Sequence, residues 1–143
     1  MEFIDIIDMN HFNSKENALY YACQNENYKM IENLLNSNIK IDLNRQNYHG
    51  WTSFHLVCYR EYIDIIKLFL EDERIDVNKQ DYDGWTPFHY ICFRGHENVI
   101  KLFLTNKRIR LNIKSISDFW GYQAGTTCYD ILRKKNINID KIV

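Results

Sequence analysis

The segment His49–Asn78, HGWTSFHLVCYREYIDIIKLFLEDERIDVN, is repeated in weakened spelling 34 residues further on. Thr52 meets Thr86, Phe54 meets Phe88, His55 meets His89, Cys58 meets Cys92, and Lys67-Leu68-Phe69-Leu70 meets Lys101-Leu102-Phe103-Leu104. A period of that length confines the chain to architectures in which one supersecondary unit stacks on its own copies, because a unit of this size cannot bury its apolar face alone.

One unit can be read residue by residue from Asp81 to Leu104. Asp81 to Gly84 carries a turn signal, with Gly accepting positive φ and Asp bonding to nearby backbone. Thr86 is placed as an N-cap and Pro87 at the first helical position, where its missing N–H costs nothing. Phe88, Ile91 and Cys92 then share one helical face, and the helix ends near Arg94-Gly95. After Gly95, the run Val99, Ile100, Leu102, Phe103 and Leu104 forms a second apolar stripe, with Glu97, Asn98 and Lys101 outward. Helices of two to three turns are unstable alone in water, so the pair must bury its stripes against neighbouring units.

The hexapeptide Gly84–His89 (GWTPFH), the pair Gly95-His96, the run Val99–Leu104 and the closing Asp76-Val77-Asn78 resemble the ankyrin-repeat family. The resemblance implies an all-α helix-turn-helix solenoid with short β-hairpin-like turns and about four units, the terminal ones degenerate. Residues 1–13, with Phe3, Ile6 and Ile7 at helical spacing, are expected to form an N-terminal cap. Repeat 1 spans 14–46 in weakened form, with Asn17-Ala18-Leu19-Tyr20 in place of Thr-Pro-Phe-His and no Gly in its turn. Repeats 2 and 3 span 47–80 and 81–113, and 114–143 is a truncated fourth repeat. Its Thr127 follows Thr86 by 41 residues instead of 34, which puts seven extra residues in Ser115–Gly125, a turn region that tolerates insertion. That elongated tip is either inert or, through Phe119, Trp120 and Tyr122, a partner contact. Only a short remnant of an outer helix follows, so the chain ends in a cap or continues in something longer.

Charge points to no macroion as partner. Eighteen basic against nineteen acidic residues give a net −1, without the basic footprint that nucleic acid or an anionic membrane needs. With 143 residues the chain is one domain, and 45% apolar with 26% charged residues is a soluble balance. No apolar run reaches bilayer length and the start MEFIDIIDMN is acidic where a signal peptide is basic, so a cytoplasmic monomer is expected. Richness in Asn, Ile, Lys and Tyr resembles A/T-rich genomes, which would make it host cytoplasm for an intracellular parasite or virus. Cys23, Cys58 and Cys92 recur at one repeat position and read as buried free thiols.

Chemistry has few candidates. His55 and Cys58, stacked beside His89 and Cys92, would offer two nitrogens and two sulfurs to zinc. The family pattern instead implies that each His bonds to the turn beside its Thr cap, and that His96 is a structural position between helices. No nucleophile–base arrangement and no Gly-rich phosphate loop stands out, so neither enzyme nor cofactor is expected.

The resemblance places partner contacts before and after the turn Gly and at the end of the inner helix, along one concave face. Residue by residue these are Tyr48, His49, Trp51, Tyr59 and Arg60 in repeat 2, and Tyr82, Asp83, Trp85, Phe93 and Arg94 in repeat 3. Trp, Tyr, Phe and Arg are the types that dominate protein-binding hot spots. Trp51 and Trp85 are expected as central anchors, Tyr48, Tyr59, Tyr82 and Phe93 as apolar walls, and Arg60 and Arg94 as partners for acidic groups or carbonyls. The alternative is that the Trp pair packs on the neighbouring turn. Repeat 1 has Asn13, Ser14, Glu16, Gln24 and Asn25 at the matching places, which centres binding on repeats 2 and 3. The expected function is a scaffold or adaptor for another protein. The alternative is a regulatory or substrate-recruiting fragment of a larger enzyme or complex.

Overall fold

A computed structural model describes residues 17–38 and 40–142. The cap expected over 1–13 and the first residues of repeat 1 lie outside the described residues.

The described residues form eight helices in four pairs: α1 (Ala18–Gln24) and α2 (Tyr28–Asn36), α3 (Ser53–Tyr59) and α4 (Ile63–Glu71), α5 (Pro87–Arg94) and α6 (Glu97–Leu104), α7 (Cys128–Lys134) and α8 (Ile139–Ile142). The odd-numbered helices pack on one another in chain order and form the inner layer. The outer helices lie behind them, each of the first three against its own inner helix. Among the described residues there is no β-strand, so the expected hairpin-like connections are hydrogen-bonded turns.

Local chemistry starts each inner helix. The side chains of Thr52, Thr86 and Thr127 accept from the backbone N–H three residues on, and His55, His89 and Asp130 return the bond to the cap. Pro87 opens α5 and Gly95 closes it in the left-handed region at φ 76°. Asn17 stands before α1 without a side-chain cap bond.

Between the layers runs an aromatic seam. Phe88 stacks on Phe103 at 5.1 Å, Phe103 on Phe54 at 5.9 Å, and Phe54 leans on Phe69 at 5.8 Å. All four rings are buried, with Ile31, Ile65, Ile66, Ile91, Ile100 and Ile131 filling the rest. Each ring is shared between an inner and an outer helix, which is what stops the two layers sliding.

Polar bonds tie each repeat to the next and recur with the same period. Gln46 Nε2 donates to Gly50 O and Gln80 O, and Gln80 Nε2 donates to Gly84 O and Lys114 O. The Tyr82 amide bonds to His49 O at 3.2 Å and the Ile116 amide to Asp83 O at 2.8 Å, so three successive turns are joined edge to edge. Since one backbone bond repeats at each step, equivalent turn residues stand in a row.

Candidate protein-binding face

The turns place the expected contact residues at very different depths. Tyr48 and Tyr82, each two residues before a turn Gly, are 58% and 62% exposed. Ile116 is 65% exposed, 34 residues after Tyr82 and bonded through its amide to the preceding turn. Sequence reasoning passed over Ile116 because the insertion begins there, although the period itself pointed to it. His49 and Arg94 are exposed, whereas Tyr59, Arg60, Asp83 and Phe93 are half-buried.

Trp51 and Trp85 are not on this surface. They are 3% and 0% exposed, which corrects their expected role as anchors. Tyr90, projecting from α5, stands between them at 5.1 Å from the Trp51 ring and 5.0 Å from the Trp85 ring. Its hydroxyl accepts from Trp51 Nε1 at 3.1 Å and donates to the buried carboxylate of Asp81. Asp81 also accepts from the Asp83 and Trp85 amides. A hydrogen-bonded chain thus runs from one turn through Tyr90 to the neighbouring Trp, and the indoles serve as packing beneath the face.

The two arginines do structural work as well. Arg60 Nη1 donates to Gln24 O at 3.2 Å and Arg94 Nη1 to Tyr59 O at 3.1 Å. Each guanidinium therefore meets the carbonyl end of the preceding inner helix, where a cation is favoured by the dipole. Arg94 also pairs with Glu61 at 3.0 Å and lies over the Tyr59 ring. Asp83 is held by the Ser117 hydroxyl at 2.7 Å.

The insertion folds back instead of projecting. Phe119 and Tyr122 exchange backbone hydrogen bonds of 2.8 and 2.9 Å around Trp120-Gly121. The Trp120 ring lies 4.8 Å from Phe93 and 5.7 Å from Tyr59, and Phe119 meets Trp85 edge-on at 5.3 Å. This finger covers the inner-helix half of the face and leaves the turn row open.

His55 and His89 are fully committed within the stack. Nδ1 of His55 accepts from the Thr52 amide while Nε2 donates to Trp85 O, and His89 repeats this with Thr86 and Thr126 O. Neither of these two rings has a nitrogen left for a metal, and burial pushes the Cys58 and Cys92 thiols well up, away from the thiolate a metal requires. Among the described residues no group of three or more His, Cys, Asp or Glu could hold a metal ion.

Burial, partly offset by the bond to Trp85 O, pushes the His55 imidazole down to about 3. An unfolded His titrates near 6.5, so between these values the unfolded chain gains a proton that the folded chain refuses, and stability falls as pH drops. From pH 7 to pH 5 this residue alone is expected to remove about 2 kcal/mol. Urea unfolding at the two pH values checks the loss, and NMR of His55 checks its source. An imidazole titrating above pH 5 in the folded protein contradicts it.

Residues 19–115 match the family model for ankyrin repeats, in three copies. The chain belongs to the ankyrin-repeat family. No curated protein matches it. Ankyrin repeats are in general protein–protein interaction modules, and such domains are typically non-catalytic scaffolds. In this ankyrin domain no helix of the described residues is long and apolar enough to cross a membrane. The match ends at residue 115, where the finger begins.

Proposed function

We propose that this ankyrin domain is a scaffold or adaptor that binds another protein along its row of turns, through repeats 2 and 3 and the start of repeat 4. The observation that carries this reading is the alignment of Tyr48, Tyr82 and Ile116, three large apolar side chains at 58%, 62% and 65% exposure, at the same position of bonded successive turns. Single exposed apolar residues are ordinary, but a row held in register is the form a binding site takes. Tyr supplies broad contact area at small rotamer cost and keeps a polar tip. His49, Tyr59, Arg60, Asp83, Phe93 and Arg94 flank the row, the two arginines offering edges to acidic groups or carbonyls of a partner. Trp51 and Trp85 set the depth and orientation of this surface from below. A net charge of −1 and four free thiols favour a cytoplasmic monomer acting on protein instead of nucleic acid.

The experiment is capture from cell lysate on immobilised wild type and on the Tyr48→Ser/Tyr82→Ser/Ile116→Ser variant. A partner held by wild type should be bound roughly tenfold more weakly or worse by the variant, the loss of one or two hot spots. The melting temperature should stay within a few degrees, since the replaced side chains are exposed. Equal capture by both proteins, or none by either, overturns the proposal.

A further inference from the structure

The finger differs from an idle loop in three ways. Both central residues of its turn have positive φ, 49° at Trp120 and 81° at Gly121. Gly or Asn usually fills the first of these positions, and a bulky indole there is strained. Strain of this kind persists where the side chain is needed at that place. Second, the turn carries a pair of stacked aromatic rings, Phe119 and Trp120 at 4.4 Å, and seats them over Tyr59, Trp85, Tyr90 and Phe93.

Third, the fit is incomplete. Trp51 directs its indole N–H to the Tyr90 hydroxyl, but among the described residues no acceptor reaches the buried Trp85 Nε1, which the finger closes over. A buried donor without an acceptor is costly, so the finger excludes water from this atom without replacing the lost bond. Its polar attachments gather at its base, where Ser115 bonds to Thr126 and the Ile116 amide and Ser117 hydroxyl reach Asp83; near the tip the Lys134 ammonium meets Gly121 O at 3.0 Å and lies over the Tyr122 ring. Trp120 itself is 38% exposed.

We infer that the aromatic pit of Tyr59, Trp85, Tyr90 and Phe93 is a second binding site of this domain and that the finger is its built-in occupant. The finger shows what the pit accepts, namely a protein segment that presents two adjacent aromatic side chains on a tight turn. A partner segment that also brings a carbonyl to Trp85 Nε1 supplies the bond that the finger lacks, and displaces it. This rests on the protein-binding reading above, and it assigns to the covered half of the face a ligand chemistry that the open turn row does not have.

The probe is a fluorescein-labelled peptide of the finger's own sequence, Ser115–Gly125. A chain in which residues 118–123 are replaced by a short Gly-Ser turn should bind it saturably. Wild type, with the pit already filled, should bind at least tenfold more weakly. Phe93→Ala in the shortened chain, or a peptide with Trp120→Ala, should abolish the signal. A shortened chain that melts cooperatively and does not bind the peptide overturns the inference. If the shortened chain does not fold, Trp120→Ala in the full chain serves instead: peptide binding at least tenfold tighter than to wild type is expected, and equal binding overturns it. Concentration-dependent dimerisation of wild type, lost in Trp120→Ala, would assign the pit to the finger of a second copy and also overturns it. The assay needs no cellular partner, and the Tyr48→Ser/Tyr82→Ser/Ile116→Ser variant should bind the peptide like its parent. The two sites can therefore fail separately.

Discussion

Trp85→Ala is expected to lower the unfolding free energy by about 4 kcal/mol, within the range for emptying a buried large aromatic site. The ring is 0% exposed and touches Tyr90 and Phe93 of its own repeat together with Phe119 and Tyr122 of the next. Its removal leaves a void where two repeats meet, and the inner helices, fixed at their caps, can close only part of it. One offset is that the unsatisfied indole N–H disappears as well, which recovers about 1 kcal/mol or more. Against a typical total of about 5–15 kcal/mol, the variant is left marginal. Urea unfolding with Trp120→Ala as comparison checks this, since the Trp120 ring is more than a third exposed and should cost about 1–2 kcal/mol. Equal costs for the two variants would mean that the Trp85 ring is not a keystone of the repeat junction.

Gly84→Ala should be nearly as damaging, for a different reason. Gly84 has φ +80°, and a Cβ there would overlap the Ile116 amide nitrogen and stand 2.9 Å from the Ser115 carbonyl carbon. Both are backbone atoms of the adjoining turn, and the Ile116 amide is bonded to Asp83 O. The added methyl therefore cannot be accommodated by a side-chain rotation, and it pries apart the bond that aligns the two turns. Left-handed strain of about 1–2 kcal/mol adds to overpacking of about 1–3 kcal/mol. Gly125→Ala is the matched control, because its φ is +86° but nothing lies within 4 Å of its Cβ position. It should show the strain alone. A difference between the two variants of less than about 1 kcal/mol would show that the turns are not packed edge to edge as described.

The elements that sequence reasoning located best are those decided within a few residues. Thr52, Thr86 and Thr127 cap helices because a hydroxyl and an amide three residues on are always close at a helix start, whatever the stack does. The apolar stripes of α4 and α6 follow from helical spacing in the same way. Burial of Trp51 and Trp85 could not be read locally: it depends on Tyr90 standing between them, and on the finger returning to cover the second indole. The extra seven residues announced an insertion, but their direction is set by contacts of Phe119 and Trp120 with residues 27 to 61 positions earlier. Arg60 and Arg94 looked like partner contacts by residue type. Their carbonyl partners, Gln24 O and Tyr59 O, belong to the preceding repeat and become neighbours only on stacking.

Each of the four inner helices carries one buried cysteine: Cys23 in α1, Cys58 in α3, Cys92 in α5 and Cys128 in α7. A thiol reagent reaches such a sulfur only when its helix leaves the stack. The chain thus carries its own set of chemical clocks, one per repeat. The order in which the four peptides gain mass under alkylation gives the order in which repeats detach, and simultaneous labelling would mark the stack as a single cooperative body.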